Sequence, residues 1–250
     1  MYAPVNGLNL YYEIHGSGKP LVLLHGGGST FGSSFGRILP ELSKTHRVIG
    51  IELQAHGHTR DIDRPLSFGQ DADDVAALLD QLAIEKADVL GFSNGGTTAL
   101  QIAIRHPRLV NKLVLAAATY RRDGMQPGFF DGFEGATLEM MPEALQQAYL
   151  KANPDPKGLQ RMFDRDVARM KDFEDIPDAA IRAIDVPALV INGDTEVVRA
   201  EHALALSRLL PYARLLILPA VHGEYFGAAE APDSHLPAMV ATMIDAFLRD

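Results

Sequence analysis

Short, continuous apolar runs alternate along the chain with longer segments whose apolar residues recur every three or four positions. The runs are PLVLLHGGG (20–28), HRVIGIEL (46–53), ADVLGF (87–92), VNKLVLAAA (110–118), PALVING (187–193) and ARLLILP (213–219). Runs of this length that end in glycine or polar residues read as strands, and PLVLL, apolar without alternation, as a strand buried on both faces. Helical periodicity marks DADDVAALLDQLAI (71–84), GGTTALQIAIRH (95–106), EHALALSRLLP (201–211) and DSHLPAMVATMIDAFL (233–248). Asp71, Asp73 and Asp74 head the first of these, where carboxylates suit a helix N-terminus, and they read as caps rather than metal ligands. Asn6-Gly7 separates two β-like runs, and both residues tolerate positive φ, so the chain is predicted to open with an antiparallel hairpin. The whole pattern predicts an α/β fold: a mostly parallel central sheet with an N-terminal antiparallel hairpin and helices on both faces.

One stretch breaks this rhythm. Residues 120–184 contain no convincing buried strand and are crowded with Pro, Met and Phe. Within them GLQRMFDRDVARMKDF sets Leu159, Met162, Phe163, Val167 and Met170 on one helical face. The expected organisation is a core domain of residues 1–119 and 185–250, interrupted by a helical lid or cap at 120–184. Five of the eight methionines (125, 140, 141, 162 and 170) fall in that insertion. Their flexible, polarisable side chains suit either an adaptable ligand surface or the packing of small helices on the core.

Composition narrows the function. With 250 residues, 47% of them hydrophobic and 22% charged, the chain has the balance of an ordinary globular protein. A formal net charge of −9 and no basic stripe argue against a nucleic-acid partner or an anionic membrane surface. There is no cysteine, which removes disulfides, thiol nucleophiles and thiolate metal sites. The first residues, MYAPVNGLNLYYEIHG, lack the basic start and apolar core of a signal peptide. No apolar run approaches the ~20 residues of a membrane span, so a cytoplasmic location without membrane insertion is expected. Nothing in the pattern assigns an oligomeric state.

The chemistry gathers at VLGFSNGGTTALQIAIRHP (89–107), where a strand-like run meets a helical one at a serine among glycines. Gly91-Phe92-Ser93-Asn94-Gly95 fits G-x-S-x-G, a sharp strand-to-helix turn that holds a serine hydroxyl clear of the sheet. The glycines relieve crowding at that turn, and the helix after it aims its positive end at any anion formed there.

In these features the chain resembles the α/β-hydrolase superfamily, in particular serine-nucleophile esterases and lactonases with a helical lid, over essentially its whole length. The resemblance implies the chain order Ser, acid, His. Leu24-His25-Gly26-Gly27-Gly28 matches the turn that supplies one oxyanion-hole N–H in the family, which maps to Gly27, with the N–H of Asn94 as the second. His25 itself reads as structural. The acid is expected three residues beyond Gly193, which is Glu196 where Asp is commoner; Asp194 and then Asp123 are the next candidates. His222 follows the last strand, where the family places its base. Among the nine histidines, His106 reads as a helix-end residue, and His56 and His58, in QAHGHTR, as parts of a structural loop.

The resemblance implies that His222 takes the Ser93 proton as the serine attacks a carbonyl, while Glu196 orients the imidazole, with no cofactor or metal. Candidate pocket residues by position are Phe92, Phe129, Phe130, Tyr225 and Phe226, each equally open to core packing. Arg121 and Arg122 could pair with a substrate carboxylate or form a solvated turn. The expected activity is hydrolysis of small to medium apolar esters, or lactones. Amide and carbon–carbon hydrolysis are the next readings. Cofactor-free haloperoxidase-like members often carry Met after the serine and an aromatic in the oxyanion turn, where this chain has Asn94 and Gly27. A ligand-sensing role with slow turnover is the alternative of another class.

Overall fold

The computed structural model describes residues 1–249. Eight strands form one sheet: β1 (Tyr2–Val5), β2 (Leu8–His15), β3 (Lys19–Leu24), β4 (His46–Glu52), β5 (Ala87–Phe92), β6 (Val110–Ala116), β7 (Ala188–Thr195) and β8 (Ala213–Val221). The spatial order is β1-β2-β4-β3-β5-β6-β7-β8, parallel from β4 onward and antiparallel where β2 meets β1 and β4. The helices are α1 (Phe31–Phe35), α2 (Leu39–Leu42), α3 (Phe68–Gln81), α4 (Asn94–Arg105), α5 (Glu143–Ala152), α6 (Pro156–Lys171), α7 (Asp178–Arg182), α8 (Ala200–Leu209) and α9 (Leu236–Arg249). This is the mostly parallel α/β architecture the apolar pattern predicts. None of these helices is long and apolar enough to cross a membrane.

The opening hairpin turns at Asn6 (φ 47°) and Gly7 (φ 87°), with Val5 paired to Leu8. Two consecutive positive φ values give the tight turn whose twist matches paired strands. Along β3 the side chains alternate: Val22 and Leu24 face a core shared with α3 and α4, Leu21 and Leu23 one shared with α1, α2 and α9. Both layers are closed, so a period-two element shows no polar face. β8 behaves differently. It is the sheet edge, and Leu215 and Ile217 stand 36% and 38% exposed.

The helix after β4 starts earlier than its aspartates suggest. Ser67 is the N-cap, its side chain accepting the Gln70 N–H at 3.1 Å, and α3 begins at Phe68. Asp71, Asp73 and Asp74 therefore lie inside the helix and serve as ion-pair partners, of Arg169, Arg105 and Arg64 respectively.

Between β6 and β7 the chain forms three short 3-10 turns and then α5, α6 and α7. Met141, Leu145, Tyr149, Leu159 and Met162 pack together with Ala55 into a small cluster apart from the sheet cores. Ile176, Ile181 and Ile184 instead join the core on the α3 and α4 side. The last part of the expected insertion thus packs as sheet cover, because its isoleucines meet the helices of the core.

Leu23→Ala, in the fully buried middle of β3, is expected to cost about 2–5 kcal/mol of unfolding free energy in urea titration. Leu215→Ala on the exposed edge is expected to cost less than about 1 kcal/mol in the same measurement.

Candidate active site

Ser93 sits between β5 and α4 with φ 55° and ψ −121°, a conformation a non-glycine residue rarely holds. The surrounding packing imposes it. A Cβ on Gly91 would collide with the Gly95 carbonyl, and one on Gly95 with the carbonyls of Leu24 and His25. On Gly96 it would lie 2.7 Å from the Ala118 Cβ. Backbone therefore packs on backbone, and the turn that results leaves Ser93 facing a cavity.

The second wall is the turn after β3. A Cβ on Gly27 would strike the Asn94 side-chain amide, and Gly28 holds φ 65°. Among the described residues none accepts the Gly27 N–H, and the N–H of Asn94 is the first of its helix, where no intrahelical partner exists. His25 anchors this turn from below. Its Nδ1 donates to the Gly26 carbonyl at 2.8 Å and its Nε2 accepts the Leu53 N–H at 3.1 Å, so the ring is neutral. Burial, with the neighbouring His56 charge, pushes it down to about 3.

The third wall comes from the ends of β7 and β8. His222 Nδ1 donates to Glu196 Oε2 at 2.5 Å, and Tyr225 donates its hydroxyl to Glu196 Oε1 at 2.8 Å. Burial opposes the charged form of His222, but the hydrogen bond and charge of Glu196, with the charge of Glu230, outweigh it and raise the imidazole above its usual value. The structure brings Glu196 rather than Asp194 to His222. Asp194 is exposed and accepts the Ala220 N–H at 3.0 Å, bridging the irregular ends of β7 and β8. Asp123 lines a separate groove.

Ser93, Asn94, Gly27 and His222 open on one cavity of about 540 Å³. Its remaining wall is mostly apolar and comes from the β6–β7 segment: Met140, Met141, Leu145, Met162, Phe163 and Met170 among others. Of the five expected pocket aromatics only Phe129 lines it, and Phe226 is wholly buried in the core. Phe92 is buried beneath His222, its ring centroid 4.7 Å from the imidazole and 5.6 Å from Phe226, so it supports that imidazole from the core. Phe130 stacks on Phe173 at 5.8 Å under the Arg122 guanidinium, and so turns away. Tyr225 is wholly buried, committed to Glu196. Neither arginine reaches the cavity: Arg121 pairs with Asp178 at 2.6 Å, and Arg122 donates to the Phe173 carbonyl at 3.1 Å.

The charged residue of the cavity wall escaped the sequence reading altogether. Asp166 projects from α6 with its carboxylate on the Gly28 N–H (2.6 Å), on His56 Nε2 (2.9 Å) and on Arg169. Arg169 also reaches Asp71 at 3.0 Å. Burial would raise the Asp166 carboxyl, but Arg169, His56 and the Gly28 N–H outweigh it and hold it well below the usual range. Burial likewise lifts Asp71 to about 6, against the pull of Arg169. The signal was present in the spacing: Asp166 stands four residues from both Met162 and Met170, inside the apolar stripe. Among the described residues no cluster of three or more His, Cys, Asp or Glu is arranged as a metal site.

A family model described as the alpha/beta hydrolase fold matches residues 19–165. The chain belongs to this family. Among its α/β-hydrolase relatives is the 2-hydroxymuconate semialdehyde hydrolase of Pseudomonas sp. (strain CF600), 30% identical over 84% of this chain and 82% of that protein. A pimeloyl-[acyl-carrier protein] methyl ester esterase of Neisseria meningitidis serogroup B is 30% identical over 85% of this chain and 89% of its own length. Of solved structures, the enol-lactonase from Burkholderia xenovorans LB400 superposes with a TM-score of 0.78 at 23% identity, covering 100% of both chains. At that identity the likeness is one of fold.

Because folded His25 stays neutral down to about 3 while the unfolded residue takes a proton near its ordinary value of 6.5, the contribution of His25 to stability falls as pH drops below 6.5. His56, His222 and Asp71, all raised in the folded state, act in the opposite sense. His25→Gln, which cannot titrate, is therefore expected to shift the change in melting temperature between pH 7 and pH 5 upward relative to wild type.

Proposed function

We propose that this α/β-hydrolase is a serine hydrolase that cleaves carboxylic esters or lactones of neutral, apolar acyl groups through an acyl-enzyme. The observation that carries the reading is the 2.5 Å hydrogen bond from His222 Nδ1 to Glu196, made where His222 shares the cavity with Ser93. That bond commits Nδ1 as donor and leaves Nε2 as the base.

Ser93 Oγ attacks the carbonyl carbon as its proton passes to His222 Nε2. Glu196 balances the imidazolium, and the N–H groups of Gly27 and Asn94 take the oxyanion, each worth about 3 kcal/mol in such sites. The tetrahedral adduct collapses, and the leaving alkoxide takes the proton from His222. Water then gives a proton to the same nitrogen, adds to the acyl carbon and releases the acid, restoring Ser93. A lactone returns as one hydroxy acid.

The substrate class follows from the wall. It offers methionine, phenylalanine and leucine side chains, one carboxylate and no lysine or arginine. An anionic acyl group would meet Asp166 without a cation of its own, while an apolar chain finds a surface that repacks around it. Within the lid expected at 120–184, the stretch that lines the cavity, from Phe129 to Met170, acts as its cap. The methyl ester esterase among the relatives supports ester chemistry by name. The semialdehyde hydrolase keeps carbon–carbon cleavage as the second reading, on the strength of its equal identity.

With p-nitrophenyl butyrate, Ser93→Ala and Glu196→Ala are expected to lower kcat by about 10³-fold or more, Asp194→Ala by less than about threefold. Loss in Asp194→Ala with retention in Glu196→Ala would reverse the assignment of the acid. Mono-p-nitrophenyl succinate, whose acyl chain is of similar length but ends in a carboxylate, is expected to show kcat/KM at least about tenfold below the butyrate ester. Equal rates would remove the charge-exclusion reading.

A further inference from the structure

The Gly27 N–H belongs to a turn of three successive glycines, a backbone with more freedom than any other and no side chains to hold it. Something else must fix its peptide planes. The Gly26 carbonyl, in the same peptide as the Gly27 N–H, is held by His25 Nδ1 at 2.8 Å and by the Ser29 N–H at 3.3 Å. The following peptide is held at its carbonyl by the Ser29 hydroxyl, at 3.3 Å, and at its N–H by Asp166 of α6, at 2.6 Å. Asp166 is thus the one partner in this set that comes from outside the turn and its own strand. It is also close to the donor itself: a Cβ built on Gly27 would lie 3.4 Å from Asp166 Oδ2.

The carboxylate is rigidly supported. His56 Nδ1 faces the Gln54 carbonyl at 2.9 Å and its Nε2 faces Asp166 at 2.9 Å, two acceptors that only an imidazolium satisfies together. Arg169, one turn along α6, pairs with Asp166 and Asp71 and is itself 5% exposed. Two cations and two anions, with their partners on the β4 loop and α3, therefore lock α6 onto the core at the oxyanion turn. A pair this buried is stiff, because removing one member leaves the other charge without water or partner.

We propose that Asp166 is a positioning residue that sets the oxyanion hole: by holding the Gly28 N–H it fixes the turn that presents the Gly27 N–H, so the hole is formed only while α6 is seated. The proposal rests on the serine-hydrolase reading above. Asp166 takes no proton and touches no reacting atom. It acts through the glycine backbone.

The test compares wild type with Asp166→Asn, which keeps the side chain's size but cannot take three donors. A fluorophosphonate probe reports both the number of reactive serines, from its end point, and their reactivity, from its rate. Stoichiometry is expected to stay at one per chain, while labelling rate and kcat for p-nitrophenyl butyrate fall together by about 10- to 100-fold. KM is expected to change by less than about threefold, and the Ki of butylboronic acid, whose tetrahedral adduct needs the hole, to rise in proportion to the loss in kcat. A structural role would lower the end point and leave rate and Ki unchanged. Should Asp166→Asn not fold, the triple variant Asp71→Leu, Asp166→Leu and Arg169→Met removes the buried Asp–Arg–Asp triad as a unit, a change folds commonly tolerate. It is expected to show the same slow labelling. Wild-type rate and Ki in a folded variant, or a loss confined to KM, would overturn the proposal alone. A wild-type protein that neither labels nor hydrolyses would overturn the serine-hydrolase reading first, before any variant is compared.

Discussion

The site depends on backbone meeting backbone where β3, β5 and α4 converge. No side chain fits between the Gly95 α-carbon and the carbonyls of Leu24 and His25, nor between Gly91 and Gly95. This contact forces Ser93 into its positive φ, sets the first turn of α4 under the hydroxyl and brings Asn94 against Gly27. Strain at one residue is tolerated because three buried elements hold it from different directions. Closed hydrophobic layers on both faces of the sheet supply that hold, so the central strands carry function through their stiffness.

Much of this was legible in the sequence because it follows from period and stereochemistry. Continuous apolar runs gave the parallel strands, Asn6-Gly7 the hairpin, and glycines at fixed offsets the elbow at Ser93. The family resemblance, which places the acid three residues beyond Gly193, pointed to Glu196, the carboxylate that the structure sets against His222. What stayed hidden depends on contacts between distant segments. Phe92 and Tyr225 flank reactive positions in sequence, yet both are turned into the core, where they brace His222 and Glu196. Ser67 displaced the aspartates as cap because its side chain reaches the Gln70 N–H, a local geometry that charge pattern alone does not express. Asp166 and His56 are 110 positions apart, and no periodicity links them.

The cavity combines two kinds of wall with opposite mechanical character. One is glycine, strand ends and the His222–Glu196–Tyr225 chain, each with a fixed partner. The other is methionine and phenylalanine on the β6–β7 segment, which fill space without directional bonds. The buried charges of α6 lie at the seam between them. An ionic seam keeps the compliant wall from relaxing into the rigid one.

The strand order also has a consequence for how the protein comes to be. Apart from the exchange of β3 and β4, strands join the sheet in the order in which they leave the ribosome, each addition from β5 to β8 extending one edge. Ser93 and the glycine turn lie in the early part, while Glu196 and His222 follow the last two strands. A chain assembling from its N-terminus therefore shapes the turn at Ser93 before the strands that carry Glu196 and His222 are in place. The residues around the cavity are complete only with the final strand, when the rest of the sheet is already there to hold them.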